Sequence, residues 1–311
     1  MRFLGCRFEL DDTDHTLVPV IRERLDFPEL DDRPVVLHVR ISACGPVPAD
    51  VATEAAAATP DSRGLVVLAG AESAWLATRH CAVRFAIAKT GQQPVTCDSR
   101  VISGSATIEV FGAADRDGLP VHVAIGEAVA STGLLPLHGA AMSREGWTVA
   151  VLGPSGAGKS TTAVLAALEG WQLIAEDSAW LDPTTLSVYG ADPTLRLRSG
   201  TESVVAGRLA DERALILADQ PHDGLKRLLS YEALGGRRST ATLDELVLLA
   251  GRDAEPQSEP LRPIEVAMAL HQAAGIPAIV LLRSARAIMI GNLAKRLPGR
   301  RVSARSGTSG L

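Results

Sequence analysis

The chain has 311 residues, a formal net charge of −5, 46% hydrophobic residues and only 4% aromatic ones. That length allows two domains, and cores must be filled by aliphatics and alanine. The acidic balance argues against a dedicated nucleic-acid binder, which would be basic.

No apolar stretch reaches membrane-spanning length. The start, Met1 to Cys6, runs straight into Glu9, Asp11, Asp12 and Asp14, which is unlike a secretory signal. The expected location is the cytoplasm, without a membrane partner. Cys6, Cys44, Cys81 and Cys97 form no C-x-x-C pair and have no His at metal-ligand spacing, so reduced thiols are expected.

In chain order, Pro34–Ile41 is β-branched and alternating, which predicts a strand. Gly64–Gly70, Cys81–Ile87 and Val101–Phe111 predict three more. Residues Cys44–Gly64 are rich in alanine and proline and read as a loop around a short helix, Val51–Ala58. Val121–Ser131 has apolar residues at helical spacing, with Gly133 to stop it. Leu135–Met142 and Trp147–Leu152 then read as a hairpin across the turn at Ser143–Gly146.

The hairpin leads into Gly153-Pro154-Ser155-Gly156-Ala157-Gly158-Lys159-Ser160, a complete G-x-x-x-x-G-K-[ST] loop. Thr161–Leu168 follows as a helix, capped by Gly170. A strand before this motif and a helix after it are the context it needs. Glycines let backbone N–H groups surround phosphate oxygens, and the helix N-terminus favours the anion. Residues Gly153 to Thr161 are therefore the expected nucleotide contacts, with Lys159 reaching the outer phosphates and Ser160 holding Mg²⁺.

Trp171–Ala175 is a short apolar strand ending in Glu176 and Asp177. The strand–loop–helix–strand unit predicts a right-handed crossover with parallel strands. Both strands then finish at one sheet edge, which places the two acids beside the loop. Asp192–Arg198 predicts a turn and an alternating basic strand, whose Arg196 and Arg198 suit either phosphate or acidic-substrate binding or a solvated edge. Asp219–Thr240, with Lys226, Arg227, Arg237 and Arg238, predicts a mobile surface loop. Thr242–Ala250 reads as a buried strand, and Pro263–Ala274 and Pro277–Leu297 as helices. The Arg/Ser/Gly-rich stretch from 299 to 311 predicts a flexible tail.

Three pieces stand in order: Leu137-His138-Gly139-Ala140-Ala141, the glycine-rich loop, and Leu173-Ile174-Ala175-Glu176-Asp177. In this the chain resembles the C-terminal domain of HPr kinase/phosphorylase. It is also similar to the nucleotide-binding core of ATP-dependent phosphoenolpyruvate carboxykinase. The resemblance covers roughly residues 134–200. It implies an α/β fold with a P-loop kinase core of the HPr kinase/carboxykinase type, preceded by a β-rich α+β region. The implied boundaries are 1–115, 116–298 and a tail from 299 to 311, the first region serving substrate recognition or homo-oligomerisation.

The resemblance further implies ATP and Mg²⁺ as cofactors. It gives Asp177 and Glu176 the duties of base and metal contact, with Ser160 and Asp177 as metal ligands and His138 and Lys159 completing the catalytic group. The family's Asp-Asp is Glu176-Asp177 here, and Asp177 is favoured as the base. The family's docking signature and the carboxykinase's additional cations are not found. The layout is closest to smaller HPr-kinase-like proteins of bacterial biosynthetic clusters, some of which phosphorylate a serine of a lasso-peptide precursor.

The expected activity is transfer of the ATP γ-phosphoryl group to a hydroxyl of a peptide, protein or small metabolite. A nucleotide-dependent regulatory module with weak ATPase activity and a carboxykinase-like lyase are the competing readings.

Overall fold

The computed structural model describes residues 1–11, 17–25, 34–89, 104–114, 118–191, 195–198, 226–229, 231, 234–253 and 257–305. The architecture is mixed α/β, with four sheets and few helices among these residues. The chain divides into two compact units. The first holds Met1–Leu134 and Ile276–Met289, the second Leu135–Gly275 and Ile290–Leu311.

The first unit begins with β1 (Arg2–Phe3), β2 (Cys6–Asp11), α1 (Val18–Leu25), β3 (Leu37–Ala43) and α2 (Ala49–Ala57). It continues with β4 (Val66–Ala69), β5 (Ser73–Ala77), β6 (Cys81–Lys89), β7 (Gly104–Gly112) and α3 (Leu119–Ser131). The seven strands form one mixed sheet in the order β1-β2-β3-β7-β6-β5-β4. Strands β2, β3 and β7 run parallel, while β4 to β7 form an antiparallel meander.

Alternation decides the sheet's faces. Leu37, Val39 and Ile41 of β3 are buried and His38 and Arg40 exposed. Arg84 of β6 sits opposite Glu109 of β7, and their side chains pair at 3.0 Å.

Helix α3 packs on β5, β6 and β7 through Val121, Ala124, Ile125, Ala128 and Val129, all buried. It therefore belongs with the first sheet. This corrects the boundary expected at 115–116, because periodicity shows that a helix buries a face but not which sheet receives it. Ile276–Met289 also joins this unit, and the Val280 N–H donates to the Gly70 carbonyl at 3.0 Å.

The second unit contains β8 (Leu135–His138), β9 (Ala140–Arg144), β10 (Trp147–Leu152), α4 (Lys159–Leu168), β11 (Gln172–Ala175), β12 (Ser178–Leu181) and β13 (Ser187–Gly190). There follow β14 (Leu195–Arg198), β15 (Lys226–Leu229), β16 (Thr240–Thr242), β17 (Glu245–Asp253), β18 (Gln257–Pro260) and α5 (Pro263–Ala274). Helix α6 (Leu281–Arg296) precedes the last strand, β19 (Gly299–Arg305). A six-stranded sheet has the order β11-β9-β10-β17-β19-β18, and a four-stranded sheet the order β16-β13-β12-β8. Ala163, Val164 and Ala167 of α4 share a buried cluster with Met142, Val149, Val151 and Leu173.

Three expectations change in this unit. The run from Leu135 to Met142 is two strands in two different sheets, and it is β9 that forms the hairpin with β10. The hairpin turns at Glu145 and Gly146, both at positive φ, as a two-residue turn of the primed type requires. Residues 226–229 form a strand rather than a surface loop, paired antiparallel with β14 along its length.

Residues 299–305 form β19 rather than a flexible tail, parallel to β17 and antiparallel to β18. Its arginines are held by carboxylates: Arg300 Nε lies 2.8 Å from Glu245 and Arg301 2.7 Å from Glu265. Residues 306–311 lie outside the described residues. Cys6 and Cys81 are buried thiols and Cys44 an exposed one, while Cys97 is outside the described residues.

Candidate functional site

The site grows from one sheet edge. Strands β10 and β11 both pair antiparallel with β9, so they run in the same direction with β9 between them. Ala175 of β11 stands opposite Ala141 of β9, which stands opposite Ala150 of β10. The residues following Ala175 therefore leave the sheet beside those following Leu152. Two strand spacings, about 10 Å, separate the two exits. One exit carries Glu176 and Asp177, the other the glycine-rich loop.

Gly139 closes the gap between them. Its N–H donates to the Asp177 carbonyl at 3.0 Å. On its other side, a Cβ would meet the Val151 carbonyl oxygen at 2.6 Å. Only a glycine lets the chain pass here from the β8 sheet into the β9 sheet. His138, the residue before it, pairs in register with Ser178, the residue after Asp177. That places the His138 ring on the acid: Nδ1 lies 3.3 Å from Asp177 Oδ1. Both side chains reach solvent, at 56% and 34% exposure.

Glu176 is different. It is 2% exposed, inside the sheet edge rather than on it. Solvent thus reaches the side chains of Asp177 and His138, while that of Glu176 is shielded from it.

The loop from Gly153 to Gly158 turns the end of β10 into α4. Gly158 caps the helix at φ 97°, a conformation that costs any residue with a Cβ. The Thr162 N–H closes the first helical turn onto the Gly158 carbonyl at 2.8 Å. Lys159 is 7% exposed, and its Nζ donates to the Gly153 and Pro154 carbonyls at 3.0 and 3.3 Å. Its ammonium thus lies over the loop's own backbone. Pro154, Ser155 and Gly156 form the exposed crest, and Ser160 and Thr161 are half-buried in the first turn of α4.

The structure thus brings His138 and Asp177 into contact and places Glu176 and the loop at the same edge. Arg196 and Arg198 lie on β14, but their side chains are outside what the structure describes. Among the described residues, no cluster of three or more His, Cys, Asp or Glu could hold a metal ion. Gly139 entered the sequence reading only as part of the His138-Gly139 motif, and Gly190, where a Cβ would run into the Ile174 carbonyl oxygen, did not enter it. An isolated glycine inside a strand pattern is the available signal for such close approaches.

No protein-family model matches the chain, and no curated protein does. Among solved structures, the Hpr(Ser) kinase/phosphatase from Coxiella burnetii is similar at 12% identity and a TM-score of 0.29. That match covers 56% of this chain and 82% of the other. A likeness so distant supports no statement about chemistry, and the residues themselves must carry the reading.

Proposed function

We propose that the second unit is an ATP-dependent phosphotransferase with a P-loop core, acting on a hydroxyl of a peptide, protein or small metabolite. The observation that carries this reading is the solvent-reaching pair His138–Asp177 at the sheet edge that also launches the glycine-rich loop. A phosphoryl donor and a proton acceptor at one edge are what a kinase needs.

The loop suits a triphosphate chemically. Glycines at positive φ keep its crest free of Cβ atoms at Gly156 and Gly158, and it ends on a helix N-terminus. Lys159 exchanges its two loop carbonyls for the outer phosphates. Ser160 and Asp177 are the residues that would hold Mg²⁺, which supplies charge neutralisation on the phosphates. An oxygen donor set with few carboxylates fits this ion, which keeps several waters and substrate oxygens.

In the transfer, the acceptor hydroxyl oxygen forms a bond to the γ-phosphorus as the bond from that phosphorus to the ADP oxygen breaks. The hydroxyl proton passes to the Asp177 carboxylate. His138 orients that carboxylate through Nδ1, and Lys159 compensates charge on the transferring group. Buried Glu176 supports the edge and takes no proton from the acceptor.

The test is mass spectrometry of candidate acceptors incubated with Mg·ATP. Asp177→Asn should lower transfer by about two orders of magnitude, the scale of a lost general base, while nucleotide affinity survives in part. Hydrolysis of ATP that ignores every acceptor and survives Asp177→Asn would falsify the kinase reading and favour a nucleotide-dependent regulatory module.

A further inference from the structure

His138 presents two ring nitrogens, and the transfer to a hydroxyl uses only one of them. Nδ1 lies 3.3 Å from Asp177 Oδ1, and 56% of the side chain reaches solvent. In a neutral imidazole, a carboxylate facing one nitrogen draws the ring proton there and leaves the other nitrogen a lone pair. Here that other nitrogen is Nε2, at the far end of the ring from the backbone. His122 shows the contrasting, structural use of the same atom: its Nε2 lies 3.1 Å from the Val20 carbonyl oxygen.

The backbone sets this lone pair at the edge that launches the glycine-rich loop. A Cβ on Gly139 would meet the Val151 carbonyl oxygen at 2.6 Å and Leu152 Cδ2 at 2.7 Å. His138 is the preceding residue, one Cα step of about 3.8 Å away. It therefore stands beside the last residues of β10, which Gly153 follows. The Gly139 N–H donates to the Asp177 carbonyl at 3.0 Å, which fixes the acid on the other side of the ring. A side chain that takes a covalent group needs its reactive atom accessible and a charge partner holding it from behind. His138 and Asp177 meet both conditions.

We propose that His138 is itself a phosphoryl acceptor, becoming phosphorylated on Nε2 when no acceptor hydroxyl occupies the edge. This rests on the phosphotransferase reading, since the donor is Mg·ATP. The Nε2 lone pair forms a bond to the γ-phosphorus as the bond from that phosphorus to the ADP oxygen breaks, and that electron pair leaves with ADP. The ring keeps its proton on Nδ1 and gains a positive charge, which the Asp177 carboxylate balances. The same step run backwards returns the group to ADP. Ser178, in register with His138, is the internal hydroxyl that competes for the group.

The test incubates the full chain with Mg·ATP radiolabelled at the γ-phosphate, without any added acceptor. The protein should become labelled, and the label should be lost in acid and kept in base, as a phosphoramidate requires. Mass spectrometry without acid should find it on the peptide containing His138. Added ADP should remove it and re-form ATP. His138→Asn should abolish the label while circular dichroism and calorimetric titration show the fold and nucleotide binding retained. Asp177→Asn should slow labelling by about a hundred-fold, the scale of removing one preorganised electrostatic contact.

A wild-type protein that binds Mg·ATP and takes no label overturns the proposal, as does a label that survives His138→Asn. An acid-stable label on Ser178 overturns it too, and so does a hydroxylamine-labile acyl phosphate on Asp177. A labelled His138 with no transfer to any hydroxyl acceptor would uphold this inference and defeat the hydroxyl-acceptor reading. Transfer to a hydroxyl without a labelled His138 would do the reverse, so the two failures are distinct.

Discussion

At the residue scale, the site depends on one atom that is not there. A Cβ at Gly139 would meet the Val151 carbonyl oxygen at 2.6 Å and Leu152 Cδ2 at 2.7 Å. The backbone carbonyl is held in the β10 ladder and cannot move aside. Gly139→Ala should therefore cost about 1–3 kcal/mol, the range for overpacking, read as a lower urea midpoint. It should also lower transfer more than nucleotide affinity, because Gly139 seats Asp177 beside His138. His138→Ala should show the same split without the stability loss, since that side chain is largely exposed. Wild-type transfer by His138→Ala would reduce the histidine to a surface role. His138, Lys159, Glu176 and Asp177 were legible in the sequence because motif order and strand ends locate them. The burial that separates Glu176 from Asp177 was not, since adjacent residues at a strand end exchange faces with a one-residue change in register.

At the element scale, strands with β-branched alternation and the helices α3, α4 and α5 were legible, because one buried face sets their period. Strand β19 was not. Its composition reads as disorder, and the partners of its arginines are distant in sequence: Glu245 and Ser258 for Arg300, and Glu265 for Arg301. Glu265 links this strand to the start of α5. It accepts from the Arg262 N–H at 3.0 Å, from Arg262 Nε at 2.9 Å and from Arg301 at 2.7 Å. The Arg262 side chain, then its N–H, then Arg301 hold the Glu265 carboxyl down from its ordinary 4.5 to about 2. A carboxyl with a depressed folded value contributes stability above its unfolded value and loses it as pH falls through the folded one. The wild type should lose this contribution between pH 4.5 and 2. Glu265→Gln should start less stable at neutral pH and show a flatter profile across that window in thermal melts. Parallel profiles for the two proteins would show that the Glu265 contacts contribute nothing to folding.

At the scale of the whole molecule, the chain is not two consecutive segments. It passes between units after Leu134, after Gly275 and after Met289, the last time within α6. Sequence reading missed this, because Pro277–Leu297 has one unbroken helical pattern and a pattern cannot say which core receives it. The returning segment is built into the first core. Ala278, Ile279 and Leu282 are buried, and Arg286 is 7% exposed. Burial pushes the Glu127 carboxyl of α3 up; the Arg286 charge, the Ala278 N–H and the Arg283 charge pull it back down. Burial likewise lowers Arg286, which Glu127 opposes. Each charge thus favours the other. Glu127→Gln should destabilise by removing a charge that favours the Arg286 guanidinium, and Glu127→Leu with Arg286→Met should recover part of that loss in thermal melts. The same logic governs dissection of the chain. A fragment of residues 1–134 lacks Ala278, Ile279 and Leu282, which are buried in the intact chain, so it should melt without cooperativity and bind a hydrophobic dye. Residues 1–134 joined by a short linker to residues 276–289 should melt cooperatively and lose the dye signal. A cooperative melt of the shorter fragment would mean that the first sheet and α3 suffice, and that the returning segment is held by the fold without helping to hold it.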